Sequence, residues 1–272
     1  MALRSSRSLL QRLSSRALAF PALRQHSHSY VKSFSAIARP VLRPCLAMGP
    51  RHKQLSATAI FPEERTYESD LVVVLDMDEC LIHSQFLSSQ SAAYAHQTKD
   101  GWTKDTDKQV ETFQVRLPDG DLVQVNQRPH LHDFLDQVTD KFETHVFTAA
   151  MEIYAKPVLD TLDPSRTKFA KRWYRDSCVQ TKEGAFVKNL GVLQKNEARL
   201  VLVDNNPLSF LANPSNGILV KSFYNDAADK TLLSVMQLLD ELDSQQDVRP
   251  MLDLRFGLKS ALDEASENGE MS

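Results

Sequence analysis

Two aspartates, Asp76 and Asp78, follow directly on an uninterrupted apolar run that extends from Leu71 to Leu75. Such a run is typical of a strand buried on both faces of a parallel sheet, and open α/β sheets bind their ligands at the carboxyl ends of these strands. Two clustered carboxylates repel each other and are costly to desolvate, so the pair predicts a compensating cation. The alternative is an Asp-rich turn, because Asp also favours turns and helix caps.

The two carboxylates suit the two halves of a phosphoryl transfer. Asp76 would be the nucleophile, and its attack on a phosphoryl group would form a covalent aspartyl-phosphate. Asp78 would protonate the leaving oxygen and then deprotonate the attacking water. Because the nucleophile and the phosphate are both anionic, such a site needs Mg²⁺ and fixed cationic or N–H donors.

A second apolar run, from Leu200 to Val203, also ends in acid and amide side chains, Asp204 and Asn205. If both runs are parallel strands, their carboxyl ends meet at one edge of the sheet and bring Asp204 and Asn205 to Asp76. Such an oxygen-only set of ligands is appropriate to Mg²⁺. A simple turn at Asp-Asn-Asn-Pro is the alternative for this stretch.

The elements around these residues alternate between strand and helix patterns. Apolar and polar residues alternate on both sides of Asp119-Gly120, which predicts a β-hairpin. Apolar residues recur at helical spacing after Pro129, over 151–162 and over 232–242. Residues 85–112 lack apolar periodicity and predict a polar surface insertion. The pattern predicts a doubly wound α/β parallel sheet.

The first motif reads Asp76-Met77-Asp78-Glu79-Cys80, and further motifs follow it in a fixed order. With them, residues 70–256 resemble the small C-terminal-domain phosphatases and Dullard-type phosphatases of the haloacid dehalogenase superfamily. The later motifs are Arg128-Pro129-His130, Phe147-Thr148-Ala149, Arg175-Asp176-Ser177-Cys178, Val187-Lys188-Asn189-Leu190 and Val203-Asp204-Asn205-Asn206-Pro207. The resemblance implies a haloacid dehalogenase-like sheet with a small β-hairpin insertion after the first strand.

The resemblance also implies an activity: Mg²⁺-dependent hydrolysis of phosphoserine or phosphothreonine in proteins. It makes Thr148, Lys188 and Arg175 the phosphate-binding residues, with Lys188 also orienting Asp76. Alone, Thr148 would be a helix cap and the two cations surface charges. The metal ligands that it implies are the Asp76 carboxylate, the Asp78 main-chain carbonyl and the Asn205 side chain, with Asp204 nearby or acting through water.

Other positions extend the resemblance or depart from it. Tyr154 and Met151 match part of a hydrophobic pocket that holds a proline of the substrate, although both also fit the core of a helix. Asn189 stands where the family usually has Asp. Cys80 replaces the usual Thr or Val, and is interpreted either as a small half-apolar filler or as a reactive thiol.

Two other functions fit the same domain. One is a non-catalytic binding module like the import receptor of the mitochondrial inner-membrane translocase. That receptor type has lost the catalytic aspartates, whereas Asp76 and Asp78 are both present here. The other is a small-molecule phosphatase, which the superfamily also contains.

The charge is unevenly distributed along the 272 residues. Residues 1–62 hold ten of the 32 Lys/Arg and no Asp or Glu, which leaves 22 basic and 35 acidic residues, a net charge of −13, in residues 63–272. A body this acidic should repel nucleic acid. The three cysteines are scattered and odd in number, so they predict neither a disulfide framework nor a zinc site.

The leader is typical of an organellar presequence. Its arginines and leucines occupy opposite halves of a helical wheel, and it lacks the continuous apolar segment of a secretory signal. We expect a mitochondrial protein, with a plastid as a further possibility and a nuclear or cytoplasmic location if the leader is not a presequence. We also expect no transmembrane segment. Expected partners are a phosphoprotein substrate and the mitochondrial import machinery.

The chain is thus divided into three predicted parts. Residues 1–62 are a presequence and linker. Residues 63–258 form the phosphatase domain, in which 85–127 are the insertion and hairpin. Residues 259–272 are expected to be a disordered acidic tail.

Residues 1–62, fused to a fluorescent reporter, should carry it into mitochondria and be shortened on arrival. Changing Arg4, Arg7, Arg12 and Arg16 together to Gln should stop the import, because the positive face of the leader is lost. Microscopy and the size of the reporter on a gel measure both effects. A cytosolic or nuclear wild-type fusion would refute the presequence interpretation.

Overall fold

The computed structural model describes residues 65–87 and 110–267. The predicted presequence, most of the polar insertion (88–109) and the last residues of the tail lie outside the described residues. In chain order the strands are β1 (Val72–Leu75), β2 (Ile82–Phe86), β3 (Thr112–Arg116), β4 (Leu122–Gln127), β5 (Glu143–Phe147), β6 (Lys171–Trp173), β7 (Val179–Gln180), β8 (Phe186–Val187), β9 (Leu200–Asp204) and β10 (Gly217–Leu219). The helices are α1 (Leu131–Lys141), α2 (Glu152–Leu162), α3 (Thr231–Asp243), α4 (Arg249–Phe256) and α5 (Leu258–Glu267).

The central sheet is parallel and has the strand order β10-β9-β1-β5-β6. All four residues of β1 are buried, as expected for a strand with neighbours on both sides and layers above and below it. The predicted α/β class with a parallel sheet is confirmed. Leu75 lies opposite Val146 of β5 and Val203 of β9. Because of this register, the residues that follow the three strands meet at one edge, at the switch point where the chain turns to either side of β1.

A second, antiparallel sheet has the strand order β2-β4-β3. The strands on either side of Asp119-Gly120 pair with each other, and Gly120 has a φ of 96°, a conformation that glycine adopts without strain. Strand β2 pairs with β4, so that Ser84 lies opposite Val125. This sheet therefore brings Ser84 and Phe86 close to the loop that contains Asp78.

The end of the chain departs from the predicted disordered tail. Helix α5 extends through Glu267, and its buried residues recur at helical spacing: Leu258, Ala261, Leu262 and Ala265. The helix begins in close contact with the edge strand β10. A Cβ atom at Gly217 would lie 2.6 Å from Leu258 Cδ1 and 2.7 Å from Phe210 Cδ1. The tail is thus helical up to Glu267, with Asp263 and Glu264 exposed beside the buried apolar stripe.

No helix within residues 65–87 and 110–267 combines the length and the apolar character that crossing a bilayer requires.

Arg128 is the largest fully buried side chain among the described residues, and it connects the loop after β1 to the segment before α3. Its guanidinium donates to both carboxylate oxygens of Asp229 at 2.9 Å and to the carbonyl of Cys80 at 2.8 Å. It also donates to the carbonyl of Lys221 and to Thr231 Oγ1, each at 2.8 Å. A buried guanidinium is stable only with such complete pairing.

Asp229→Asn should lower the free energy of unfolding by about 3 kcal/mol, because it leaves the buried charge of Arg128 without its carboxylate. Asp240→Asn is the matched control: Asp240 accepts from Lys141 at 2.9 Å, but the pair is largely exposed. That change should cost less than about 1 kcal/mol. Urea denaturation measures both, and equal losses would contradict the assigned importance of the buried pair.

Candidate active site

The centre of the site is a buried lysine between two carboxylates. Lys188 Nζ donates to Asp204 Oδ2 at 2.5 Å and also to Asp76 Oδ1. Lys188 follows directly on β8, and its main-chain N–H donates to the carbonyl of Ser209 at 3.1 Å. The side chains of Lys188 and Asp204 are each 1% exposed. The ends of β1 and β9 are therefore joined through one ammonium group.

Lys188, Asp76 and Asp204 together contain one basic and two acidic groups, so their charges do not balance. Burial would lower the pKa of Lys188, but the adjacent Asp204 and Asp76 outweigh it and raise that pKa, so the lysine is charged. Burial and repulsion by Asp204 raise the pKa of Asp76 well above its usual value, against the opposing effect of Lys188. One cation thus faces more negative charge than it can neutralise, and a further cation would favour the ionised form of Asp76.

The side chain of Asn205 lies where such a cation would bind. One terminus of its amide is 3.2 Å from the main-chain oxygen of Asp78 and 3.3 Å from Asp76 Oδ2, and the other is 3.0 Å from Ser222 Oγ. If the first terminus is the amide oxygen, three oxygens converge, and this fits a hard cation such as Mg²⁺. If it is the nitrogen, the amide donates to both oxygens.

This donor set differs from a cluster of acidic side chains. Within the described ranges, no group of three His, Cys, Asp or Glu side chains is arranged to hold a metal ion. The ligand set that the family resemblance implies uses a main-chain carbonyl and an amide beside Asp76. The residues therefore fit an oxygen-bound cation through Asp76, Asp78 and Asn205, while Asp204 is held by Lys188.

Asp78 lies in a different environment from Asp76. Its Oδ1 accepts from the hydroxyl of Tyr154 at 2.5 Å, and that hydroxyl lies 2.6 Å from Ser84 Oγ. Burial, with a further contribution from Glu79, raises the pKa of Asp78 to about 7. A carboxyl group that titrates near neutral pH can give and take a proton during turnover, which is the property required of a general acid/base.

The predicted phosphate-binding residues Thr148 and Arg175 follow the next two strands of the sheet, β5 and β6. Thr148 follows β5 and is buried; its Oγ1 accepts from the N–H of Ala150 at 3.0 Å. Arg175 Nε donates to the carbonyl of Ala149 at 2.6 Å, and the guanidinium lies over the ring of Phe186. Arg175 is thus fixed against the loop that follows Thr148.

Direct contacts connect five of the predicted residues: Asp76, Asp78, Lys188, Asp204 and Asn205. Thr148 and Arg175 lie after the next two strands, β5 and β6. Of the two predicted pocket residues, Met151 is half-buried and precedes α2, and Tyr154 is buried in its first turn. No sequence pattern indicates the contact of Tyr154 with Asp78 or the positions of Ser84 and Ser222 near it.

The departures from the family pattern have structural explanations. Asn189 is exposed, and its Oδ1 accepts from the N–H of Gly191 at 2.9 Å, a capping contact that Asp could also make. Cys80 is fully buried, with its Sγ 3.7 Å from the carbonyl of Val203. Burial and the nearby Asp76 raise the pKa of Cys80 well above its usual value, so the structure favours a packing role over a reactive thiol.

Comparison with known proteins gives consistent matches. Residues 71–249 match the family described as NLI interacting factor-like phosphatase. The chain is 34% identical over 207 residues to the CTD small phosphatase-like protein 2 of Dictyostelium discoideum, covering 76% of this chain and 33% of that one. It is 35% identical over 183 residues to the CTD nuclear envelope phosphatase 1 of Xenopus tropicalis, covering 66% and 70%. It is 31% identical over 221 residues to the human carboxy-terminal domain RNA polymerase II polypeptide A small phosphatase 2, covering 81% and 74%.

Lys188→Met should lower the free energy of unfolding by about 3–5 kcal/mol in the presence of a chelator, because it leaves Asp76 and Asp204 buried without their cation. Combining it with Asp204→Asn should restore a large part of the loss, since one of the two charges is then removed. Lys195→Met, at a lysine that pairs with Glu143 and is 38% exposed, is the control and should cost less than about 1 kcal/mol. Urea denaturation measures all three, and an unchanged stability of Lys188→Met would contradict the analysis.

Proposed function

Because this chain belongs to the NLI interacting factor-like phosphatase family, we propose that it is a Mg²⁺-dependent phosphatase that removes phosphate from phosphoserine or phosphothreonine in proteins. Membership of the family agrees with the resemblance drawn from the ordered motifs. The proposal rests chiefly on one observation: Lys188 joins Asp76 to Asp204, while Asn205 lies against Asp76 and the carbonyl of Asp78.

In the proposed first step, an oxygen of Asp76 attacks the phosphorus as the bond from phosphorus to the substrate oxygen breaks. Asp78 gives its proton to the leaving oxygen, so the substrate departs as a neutral alcohol. Lys188 keeps Asp76 oriented and offsets part of the negative charge that accumulates. The product of this step is an aspartyl-phosphate on Asp76.

In the second step, water attacks the phosphorus of the aspartyl-phosphate. Asp78, now a carboxylate, accepts a proton from this water, and the bond between phosphorus and Asp76 breaks to release inorganic phosphate. Thr148 would bind a phosphate oxygen through its hydroxyl, and the free edge of the Arg175 guanidinium would bind another. Asp76 and Asp78 are then ready for the next turnover.

The residues that would hold Mg²⁺ are Asp76, the carbonyl of Asp78 and Asn205, with Asp204 nearby. When bound, the ion would neutralise the charge of the phosphoryl oxygens and of the nucleophile, which otherwise repel each other. The closeness of the Asn205 amide to the carbonyl of Asp78 (3.2 Å) and to Asp76 Oδ2 (3.3 Å), together with the surplus of negative charge, supports this assignment.

The names of the relatives support a phosphoprotein substrate, since the human one is named for the carboxy-terminal domain of RNA polymerase II. We propose that Met151 and Tyr154 contribute to a pocket for a substrate proline, as the family resemblance implies. A small-molecule substrate and a purely binding role are the alternatives. The binding role is disfavoured because Asp76 and Asp78 are both present and Lys188 contacts Asp76.

Two observations bear on the location of the protein, and they point to different compartments. The basic leader supports mitochondria, with import proteins as partners, whereas the Xenopus relative is named for the nuclear envelope. We propose the mitochondrial location on the leader, with the nucleus or cytoplasm as the alternative. The net charge of −13 in residues 63–272 supports a protein substrate over nucleic acid in either compartment.

The purified full chain should hydrolyse a phosphoserine peptide in the presence of Mg²⁺ and lose this activity when a chelator is added. Asp76→Asn should reduce turnover by roughly 1,000-fold or more, because an amide is a poor nucleophile of nearly the same shape. Release of inorganic phosphate measures both effects, and circular dichroism should show an unchanged fold.

Asp240→Asn is the control. Asp240 is exposed and pairs with Lys141, so this variant should keep full activity. Activity of the wild type on phosphometabolites alone would favour the small-molecule alternative. A wild type that is inert on every phosphomonoester would favour the binding module.

A further inference from the structure

The hydroxyl of Tyr154 lies between two buried oxygen atoms that come from different elements. It is 2.5 Å from Asp78 Oδ1 in the loop after β1 and 2.6 Å from Ser84 Oγ on β2. Tyr154 itself is in α2, 8% exposed, and its ring lies 5.5 Å from the ring of Phe86. The three side chains are therefore fixed by a helix, a strand and a loop that meet beside the site.

Proton counting sets the direction of these hydrogen bonds. A phenol has one proton, so Tyr154 can donate to only one of its two neighbours. A carboxylate has no proton to give; when Asp78 is ionised, Tyr154 must donate to Asp78 and Ser84 must donate to Tyr154. A phenol is protonated at neutral pH, so Tyr154 has the proton that this arrangement requires.

We propose that Tyr154 is a positioning residue for Asp78, and this inference rests on the proposed phosphatase function. By donating to Oδ1, the phenol occupies that oxygen and leaves Oδ2 to carry the proton for the leaving group. As the bond from phosphorus to the substrate oxygen breaks, the proton passes from Oδ2 to that oxygen and Asp78 becomes a carboxylate. The hydrogen bond from Tyr154 then becomes charge-assisted and stronger, which favours the transfer.

If Tyr154 acts in this way, the loss of activity on removing its hydroxyl should depend on the leaving group of the substrate. The oxygen of a serine side chain is a strong base and must be protonated as it leaves. p-Nitrophenolate is a weak base and leaves as an anion, so its departure gains little from Asp78. A residue that acts through Asp78 should therefore matter for a phosphoserine peptide and hardly at all for p-nitrophenyl phosphate.

Tyr154→Phe is the variant that separates this role from a pocket for proline, because it removes the hydroxyl and keeps the ring. In the full chain with Mg²⁺, it should lower kcat/KM for a phosphoserine peptide by roughly tenfold or more, and that for p-nitrophenyl phosphate by less than about threefold. The parameter kcat/KM is chosen because it reports the steps up to departure of the leaving group.

Ser84→Ala is the matched control within the network. It removes the other hydrogen bond of Tyr154, yet the phenol can still donate to Asp78. The ratio of kcat/KM between the two substrates should therefore stay at the wild-type value in Ser84→Ala. The same drop in this ratio in both variants would assign the effect to loosened packing around the ring and overturn the proposal.

A double-mutant cycle gives the second test. On an Asp78→Asn background, which has no proton to deliver, Tyr154→Phe should cause no further loss of kcat/KM for the phosphoserine peptide. A further loss as large as that in the wild type would mean that Tyr154 does not act through Asp78. Equal losses on both substrates in Tyr154→Phe would overturn only this proposal, whereas a wild type inert on both would overturn the proposed function and this inference with it.

Discussion

The site depends on the burial of Lys188 between Asp76 and Asp204, because this one ammonium allows two acidic strand ends to lie side by side. The parallel register of β1 and β9 fixes the two carboxylates at the same edge of the sheet. Without a cation, their repulsion and their desolvation would oppose closing this edge. The surplus of negative charge that remains is a cost to stability, and a bound cation would reduce that cost.

The loop after β1 is held rigidly from the opposite side. Glu79 has a φ of 55°, which is rare for a residue with a side chain. Its carbonyl accepts from the N–H of Phe223 at 2.8 Å, and the next carbonyl, of Cys80, accepts from Arg128. The buried pair of Arg128 with Asp229 therefore fixes the conformation that orients Asp78. A strained loop anchored by buried contacts is suited to preorganised chemistry.

The sequence was sufficient where local pattern and general topology decide the structure. Apolar runs predict parallel strands, and the carboxyl ends of parallel strands meet at one edge of the sheet. This pattern predicts that four side chains lie close together: Asp76, Asp78, Asp204 and Asn205. The burial of Arg128 could not be predicted in this way, since it depends on Asp229, 101 positions away, and arginine is usually exposed. The acidic composition of the tail predicts disorder, but its apolar residues recur at helical spacing and pack in helix α5.

The contact of Tyr154 with Asp78 also depends on residues distant in the sequence, so the sequence pattern indicates only a substrate pocket for Tyr154. Sequence spacing places Tyr154 in the first turn of a helix, but only the packing of α2 against β2 determines that its hydroxyl reaches Oδ1. As a result, two carboxylates only two residues apart have different environments. Asp76 contacts a charged ammonium, which favours the ionised form needed by a nucleophile, whereas Asp78 contacts a neutral phenol, which serves either protonation state. Burial and Asp204 raise the pKa of Asp76, and a metal ion beside it would counter both effects. The contacts thus support the proposed roles, attack by Asp76 and proton transfer by Asp78.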